Sequence, residues 1–238
     1  MPARSATALQ ADGQVNSDRM STFRHVFGPV ASRRFGRSLG VDLTPAKTCS
    51  FDCRYCQLGA TTCRTLERRE WVPIGEVLAE LDAWMRKGGE ADFISLAGSG
   101  EPTLHAHFGD VMRWARDVGK CKSALLTNGT LLWLPEVRRD AAEAHVAKVT
   151  LSAWDQASFS SLHRPHPGLN FDRIVDGIRT FRKEFTGELW LEVFVAKGFN
   201  ADATSLQKIA AITTTIGADR INLNTALRPS AECGIVPI

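Results

Sequence analysis

The chain has 238 residues, 44% of them apolar and 23% charged, with a formal net charge of +3. That length fits one large domain or two small ones, with a sizeable core. No apolar run approaches a membrane span, the amino end has no secretory hydrophobic region, and +3 is too small to require a nucleic-acid partner.

Residues 1–19 are small and polar without apolar periodicity and read as a disordered tail, leaving 20–238 as the folded domain. Met20 opens a more patterned stretch and is a candidate start. Gly28-Pro29-Val30 and Gly36-Arg37-Ser38-Leu39-Gly40 punctuate short extended pieces; Val41-Asp42-Leu43-Thr44 alternates as a strand that Pro45 ends. Cys49, Cys53 and Cys56 follow at C-x3-C-x2-C spacing, with Tyr55 before the third. A βα rhythm then takes over. Ile74, Val77, Leu78, Leu81, Trp84 and Met85 form a helical stripe behind Pro73, and Phe93–Ala97 is a buried strand ending at Gly98-Ser99-Gly100-Glu101-Pro102. A helix near 106–118 precedes the strand 123–127, which closes on Asn128-Gly129. Pro135 starts a short helix, and 146–152 is a fourth strand ending at Ser152. His163-Arg164-Pro165-His166-Pro167 reads as a rigid turn, with two histidines that would need partners to bind a metal. A stripe from Phe171 to Phe185, a strand at 189–195, a helix around 206–216 and a sixth strand at 220–224 complete the pattern. The usual final helix is therefore expected to be shortened, missing or supplied by another chain.

Six strands alternating with helices imply a parallel sheet with right-handed crossovers, either curled into a partial barrel or flat and doubly wound. Both arrangements place chemistry at the carboxyl ends of strands, where the polar clusters lie. The clustered cysteines fit a reducing, cytoplasmic compartment and a metal site better than a disulfide scaffold. Three thiolates on one short loop can grip three irons of a cubane and leave the fourth open, whereas four-cysteine clusters and structural zinc sites use one ligand more. Three cysteines packed as small hydrophobes, or a zinc knuckle awaiting a fourth ligand, are the alternatives. Cys63, Cys121 and Cys233 show no paired spacing, so no second cluster is expected and packing is their simplest role. Residues 31–70 hold eight basic side chains against four acids, a rim that either attracts an anionic partner or is a solvated surface of ion pairs.

The cysteine loop resembles that of the radical S-adenosylmethionine enzymes. The resemblance covers most of residues 24–229, and the stretch Gly28–Gly40 is similar to the lead-in of a subgroup related to the tRNA wybutosine-synthesis enzymes. It implies an α/β fold, a partial (β/α)6 TIM-type barrel, with one 4Fe–4S cluster on Cys49, Cys53 and Cys56. It further implies reductive cleavage of S-adenosylmethionine to a 5′-deoxyadenosyl radical. By the same resemblance Gly98, Ser99, Gly100 and Glu101 stand in place of a glycine-glycine-glutamate motif facing the methionine ammonium, with Ser99 a departure within the glycine pair. Tyr55 would lie against the adenine, Asn128 and Ser152 would contact the cofactor, and Lys197 would be a catalytic lysine on the substrate side. Asp52 and Arg54 would modulate the cluster. The implied partners are a low-potential electron donor such as a flavodoxin or ferredoxin and an unidentified substrate, RNA among the candidates. A glycyl-radical-activating enzyme is the alternative within the class, and a non-catalytic iron–sulfur or zinc module the alternative outside it.

Overall fold

The computed structural model describes residues 23–232, 234–236 and 238. The expectations for residues 1–19, Met20 and Cys233 lie outside them.

Side-chain alternation builds the sheet. Along β5 (Phe93–Leu96), β6 (Lys122–Thr127), β7 (Val146–Thr150) and β8 (Glu188–Phe194), one set of side chains is buried in the main core: Ile94, Leu96, Leu125, Ala147, Val149, Leu189 and Leu191. The other set, Phe93, Ala124, Leu126, Val146 and Trp190, joins Phe35 in a separate cluster on the opposite face. Burial on both faces is why these strands read as near-continuous apolar runs. β1 (Val26–Ser32), β2 (Gly36–Val41) and β9 (Arg220–Asn224) complete a seven-stranded sheet ordered β1-β2-β5-β6-β7-β8-β9. β1 pairs antiparallel with β2, and every other pair is parallel.

That order decides between the two sheet types. From β2 onward each strand adds on the same side of its predecessor, whereas a doubly wound sheet reverses direction at a switch point. Right-handed crossovers in one direction put every helix on one face and leave the other as a lumen. Among the described residues the sheet ends at β1 and β9 without closing, as expected for a partial barrel.

α1 (Ile74–Arg86), α2 (Phe108–Val118), α3 (Pro135–Ala141), α5 (Phe171–Glu184) and α6 (Ala203–Ile216) lie where the periodicity places them. Gly119 and Gly217, both at positive φ, end α2 and α6. Three features differ from expectation. The first parallel strand spans Gly36–Val41, not 41–44, because pairing with β5 stops at Val41–Leu96 and the Asp42 carboxylate turns to the Thr44 and Ser99 amides. The extended piece before it forms the antiparallel edge β1. His163 closes a helix, α4 (Gln156–His163), instead of sitting in a turn; an Asp155–Ser158 capping box starts that helix. Among the described residues no helix is long and apolar enough to cross a membrane.

Candidate functional site

A broad concavity of about 860 Å³ lies around Arg37, Asp92, Lys122 and His145 at the amino ends of the strands. A smaller one of about 210 Å³ lies at the carboxyl ends and holds Cys49, Cys53 and Cys56. Parallel α/β sheets carry their chemistry at carboxyl ends, and the three thiols make the second cavity the candidate.

The cysteine loop leaves the sheet after β2 and is closed by a two-residue ladder, β3 (Thr48–Cys49) against β4 (Cys63–Arg64). Each sulfur has a nitrogen partner. Cys49 Sγ accepts from the Phe51 amide at 3.4 Å and the Asn128 side-chain amide at 3.6 Å. Cys56 Sγ takes the Lys47 ammonium at 3.0 Å. Lys47 reaches it from a left-handed backbone (φ 60), held by its amide on the Ser99 carbonyl; such a conformation costs a β-carbon-bearing residue about 1–2 kcal/mol. Cys53 Sγ lies 3.2 Å from His163 Nδ1, which is also 3.3 Å from the Tyr55 hydroxyl. Burial drives the His163 pKa down to about 3, so the ring is neutral. Neither Lys47 nor His163 stands out as a sulfur partner in the sequence: one lies two residues before a cysteine, the other 110 residues from its own.

The strand-end motif grips this loop from below. A β-carbon at Gly100 would run into the Thr48 carbonyl, and one at Gly98 into the Asp42 carboxylate. The Glu101 amide donates to Thr48 O at 3.0 Å, so the glycines bring two backbone segments into contact. The Glu101 carboxylate accepts from the Thr103 amide and hydroxyl, the Thr127 hydroxyl and the Asn128 amide at 2.5–3.1 Å. Burial raises its pKa against those four donors.

Of the other predicted positions, Asn128 lines the cavity; its amide also reaches Ser50 Oγ at 2.8 Å, while its oxygen accepts from Thr130. Tyr55 lines the cavity too, one ring face stacked on Phe194 with centroids 3.9 Å apart. Ser152 lies elsewhere, in a neighbouring hollow beside Phe199, its hydroxyl accepting from the Phe194 amide at 2.8 Å. Lys197 is exposed beyond the end of β8 and does not line the cysteine cavity. Asp52 binds the Thr61 amide and Arg54 binds Glu232 and the Ser161 carbonyl, so both tie the loop to its surroundings. Cys63 is exposed on β4, not packed, because its strand is a two-residue surface ladder. Cys121 is partly buried against the core. His166 makes the turn expected of it, its Nδ1 accepting from the Gly168 amide at 3.1 Å.

Among the described residues no three His, Cys, Asp or Glu side chains converge on a single metal ion. A structural zinc site uses four ligands, whereas three thiolates suffice for three irons of a cubane; three cysteines in one cavity fit the cubane. As thiols Cys49 and Cys53 are held neutral, since burial pushes Cys49 up to about 12 and Cys53 well above its ordinary value. Thiolates arise in such a place when metal charge replaces the proton.

The family model of the radical SAM superfamily matches residues 43–205. The chain is 37% identical over 209 residues to a Brachyspira hyodysenteriae protein named GTPase Obg, covering 88% of this chain but 31% of that protein. It is 36% identical over 210 residues to a UPF0026 protein of Synechocystis sp., covering 88% and 78%. Among solved structures, that of TYW1 with a lysine-pyruvate adduct bound aligns with a TM-score of 0.60 at 14% identity, over 85% of this chain and 70% of that one.

Proposed function

The chain belongs to the radical SAM superfamily, and from that premise we propose that Cys49, Cys53 and Cys56 hold one 4Fe–4S cluster that binds S-adenosylmethionine at its open iron. When bound, the two together supply one-electron cleavage of a C–S bond, releasing methionine and a 5′-deoxyadenosyl radical that takes a hydrogen atom from the substrate. The carrying observation is the donor set: three thiols in one cavity, each with its own nitrogen partner.

The protein's part is to hold and tune. Lys47, Asn128 and His163 place hydrogen-bonding groups on the three sulfurs, the kind of contact that sets cluster potential within a span of roughly −700 to +450 mV. Gly98–Glu101 locks the loop to the end of β5 and lines the cavity with Ser99, Gly100 and Glu101, where the amino group of S-adenosylmethionine would find acceptors. Tyr55, backed by Phe194, offers the cavity an aromatic edge for adenine. A low-potential flavodoxin or ferredoxin is the proposed electron donor.

The GTPase name of one relative does not carry over. The match spans 31% of that protein, and the phosphate-cradling G-x-x-x-x-G-K-S/T stretch is absent from this sequence. Five of the eight basic side chains in 31–70 (Arg34, Arg37, Arg54, Arg68 and Arg69) pair with carboxylates. That pairing favours a small substrate over RNA.

The test is anaerobic. Reduced, iron-loaded protein incubated with S-adenosylmethionine should yield methionine and 5′-deoxyadenosine. A fully loaded, reduced cluster that yields none, with or without cell extract, would sink the reading and leave a binding module.

A further inference from the structure

The lumen holds a buried charged group that the cluster chemistry leaves unused. β7 and β8 turn Val146 and Trp190 away from the helices into the lumen cluster, and by alternation Lys148, Thr150 and Glu192 share that face. Lys148 Nζ donates to Glu192 Oε2 at 2.8 Å, and Arg34 Nη2 lies 3.4 Å from the same oxygen. The three side chains are 13%, 13% and 24% exposed. Two cations thus share one carboxylate, a local charge of +1, and among the described residues neither pairs with a second acid.

An uncompensated buried charge is costly, and an oxyanion beside the two cations offsets it. Position makes such an anion useful: Lys148 lines the same cavity as the three cysteines, and Arg34 lines a second hollow with Leu223 and Asn224 of β9.

We infer that Lys148 and Arg34 form an oxyanion site that anchors a carboxylate or phosphate group of the substrate in the lumen, with Glu192 holding the two cations in place. The inference rests on the cavity being the seat of the radical chemistry and adds the substrate class, a small anionic molecule. Lys148 has two N–H groups left after its bond to Glu192, and the guanidinium of Arg34 closes the site from the tip of the β1–β2 hairpin.

Calorimetric titration of the full, anaerobically purified chain at low ionic strength tests this, with inorganic phosphate in one arm and acetate in the other. One saturable site is expected, and the anion that fills it identifies the group recognised. Lys148→Met should weaken binding about tenfold, the loss of one charge-assisted hydrogen bond. Arg34→Gln should weaken it several-fold, and Glu192→Gln should tighten it by removing the competing carboxylate. If Lys148→Met fails to fold, Arg34→Gln, on the hairpin turn, carries the test. Absence of binding for both anions, or variants that bind as the parent does, would overturn the site. Anion binding is read without turnover, so its loss alongside normal 5′-deoxyadenosine formation removes only this inference. The converse result removes only the proposed reaction.

Discussion

Single residues set the sulfur environment, and their substitution separates iron binding from everything else. Cys53→Ala should lose most of its iron and sulfide, whereas Cys63→Ser, at an exposed site outside the cavity, should keep both; metal analysis of purified protein decides. Gly100→Val is expected to lower iron content as well as S-adenosylmethionine cleavage, because the new side chain meets the Thr48 carbonyl one residue before Cys49. Full iron with cleavage abolished would instead confine Gly100 to the cofactor. Two histidines predict acid sensitivity. His105 is buried with Nε2 2.9 Å from the Val72 carbonyl while Nδ1 accepts from the His107 amide, and burial pushes its pKa below 6.5. Burial, aided by Lys122, lowers His145 too. As pH falls below about 6.5 the unfolded chain takes up protons that the folded one refuses, so stability declines with acid. The slope of Tm against pH between about 6.5 and 4 should therefore be shallower in His105→Gln. An unchanged slope would assign the sensitivity elsewhere.

Elements carry these residues to the site, and two are sensitive to a single change. α4 brings His163 to Cys53 and starts at the Asp155 capping box. Asp155→Ala should cost about 0.5–2 kcal/mol and loosen the ring of aromatic contacts that Phe51, Tyr55 and Phe159 make with His163. Urea unfolding reads the first effect. The β1–β2 hairpin plugs the amino end of the lumen with Phe35, stacked 5.2 Å from Trp190 and tilted 5.0 Å from Phe93. Phe35→Ala should cost about 3–5 kcal/mol; a loss under 1 kcal/mol would mean that the lumen base stands without its plug.

At the scale of the whole molecule, one-directional winding leaves β9 as an edge among the described residues, with Ile221 and Leu223 48% and 69% exposed. Amides of β9 should exchange hydrogen faster than those of β7, which is paired on both sides; equal protection would place a cover over that edge. The sequence by itself determined the βα rhythm, the six parallel strands and the cysteine loop, because period-2 and period-3.6 patterns and close ligand spacing are local properties. It missed α4, where eight residues bury only Phe159, Leu162 and His163, too few for a stripe. It shifted the first parallel strand, since the end of β2 depends on where β5 stops pairing. The open barrel, as opposed to a flat sheet, was settled by strand order. The His163–Cys53 contact, Lys47 on Cys56 and the Lys148–Glu192–Arg34 group join residues 110, 9, 44 and 158 positions apart. Of these only the Lys47–Cys56 contact is short in sequence, and it depends on a left-handed backbone held by Ser99 across the fold. The Lys148–Glu192 contact forms when the curl of the sheet turns alternate side chains into one lumen, and the sulfur contacts form when α4 and the cysteine loop meet at the strand ends; no window of sequence encodes either.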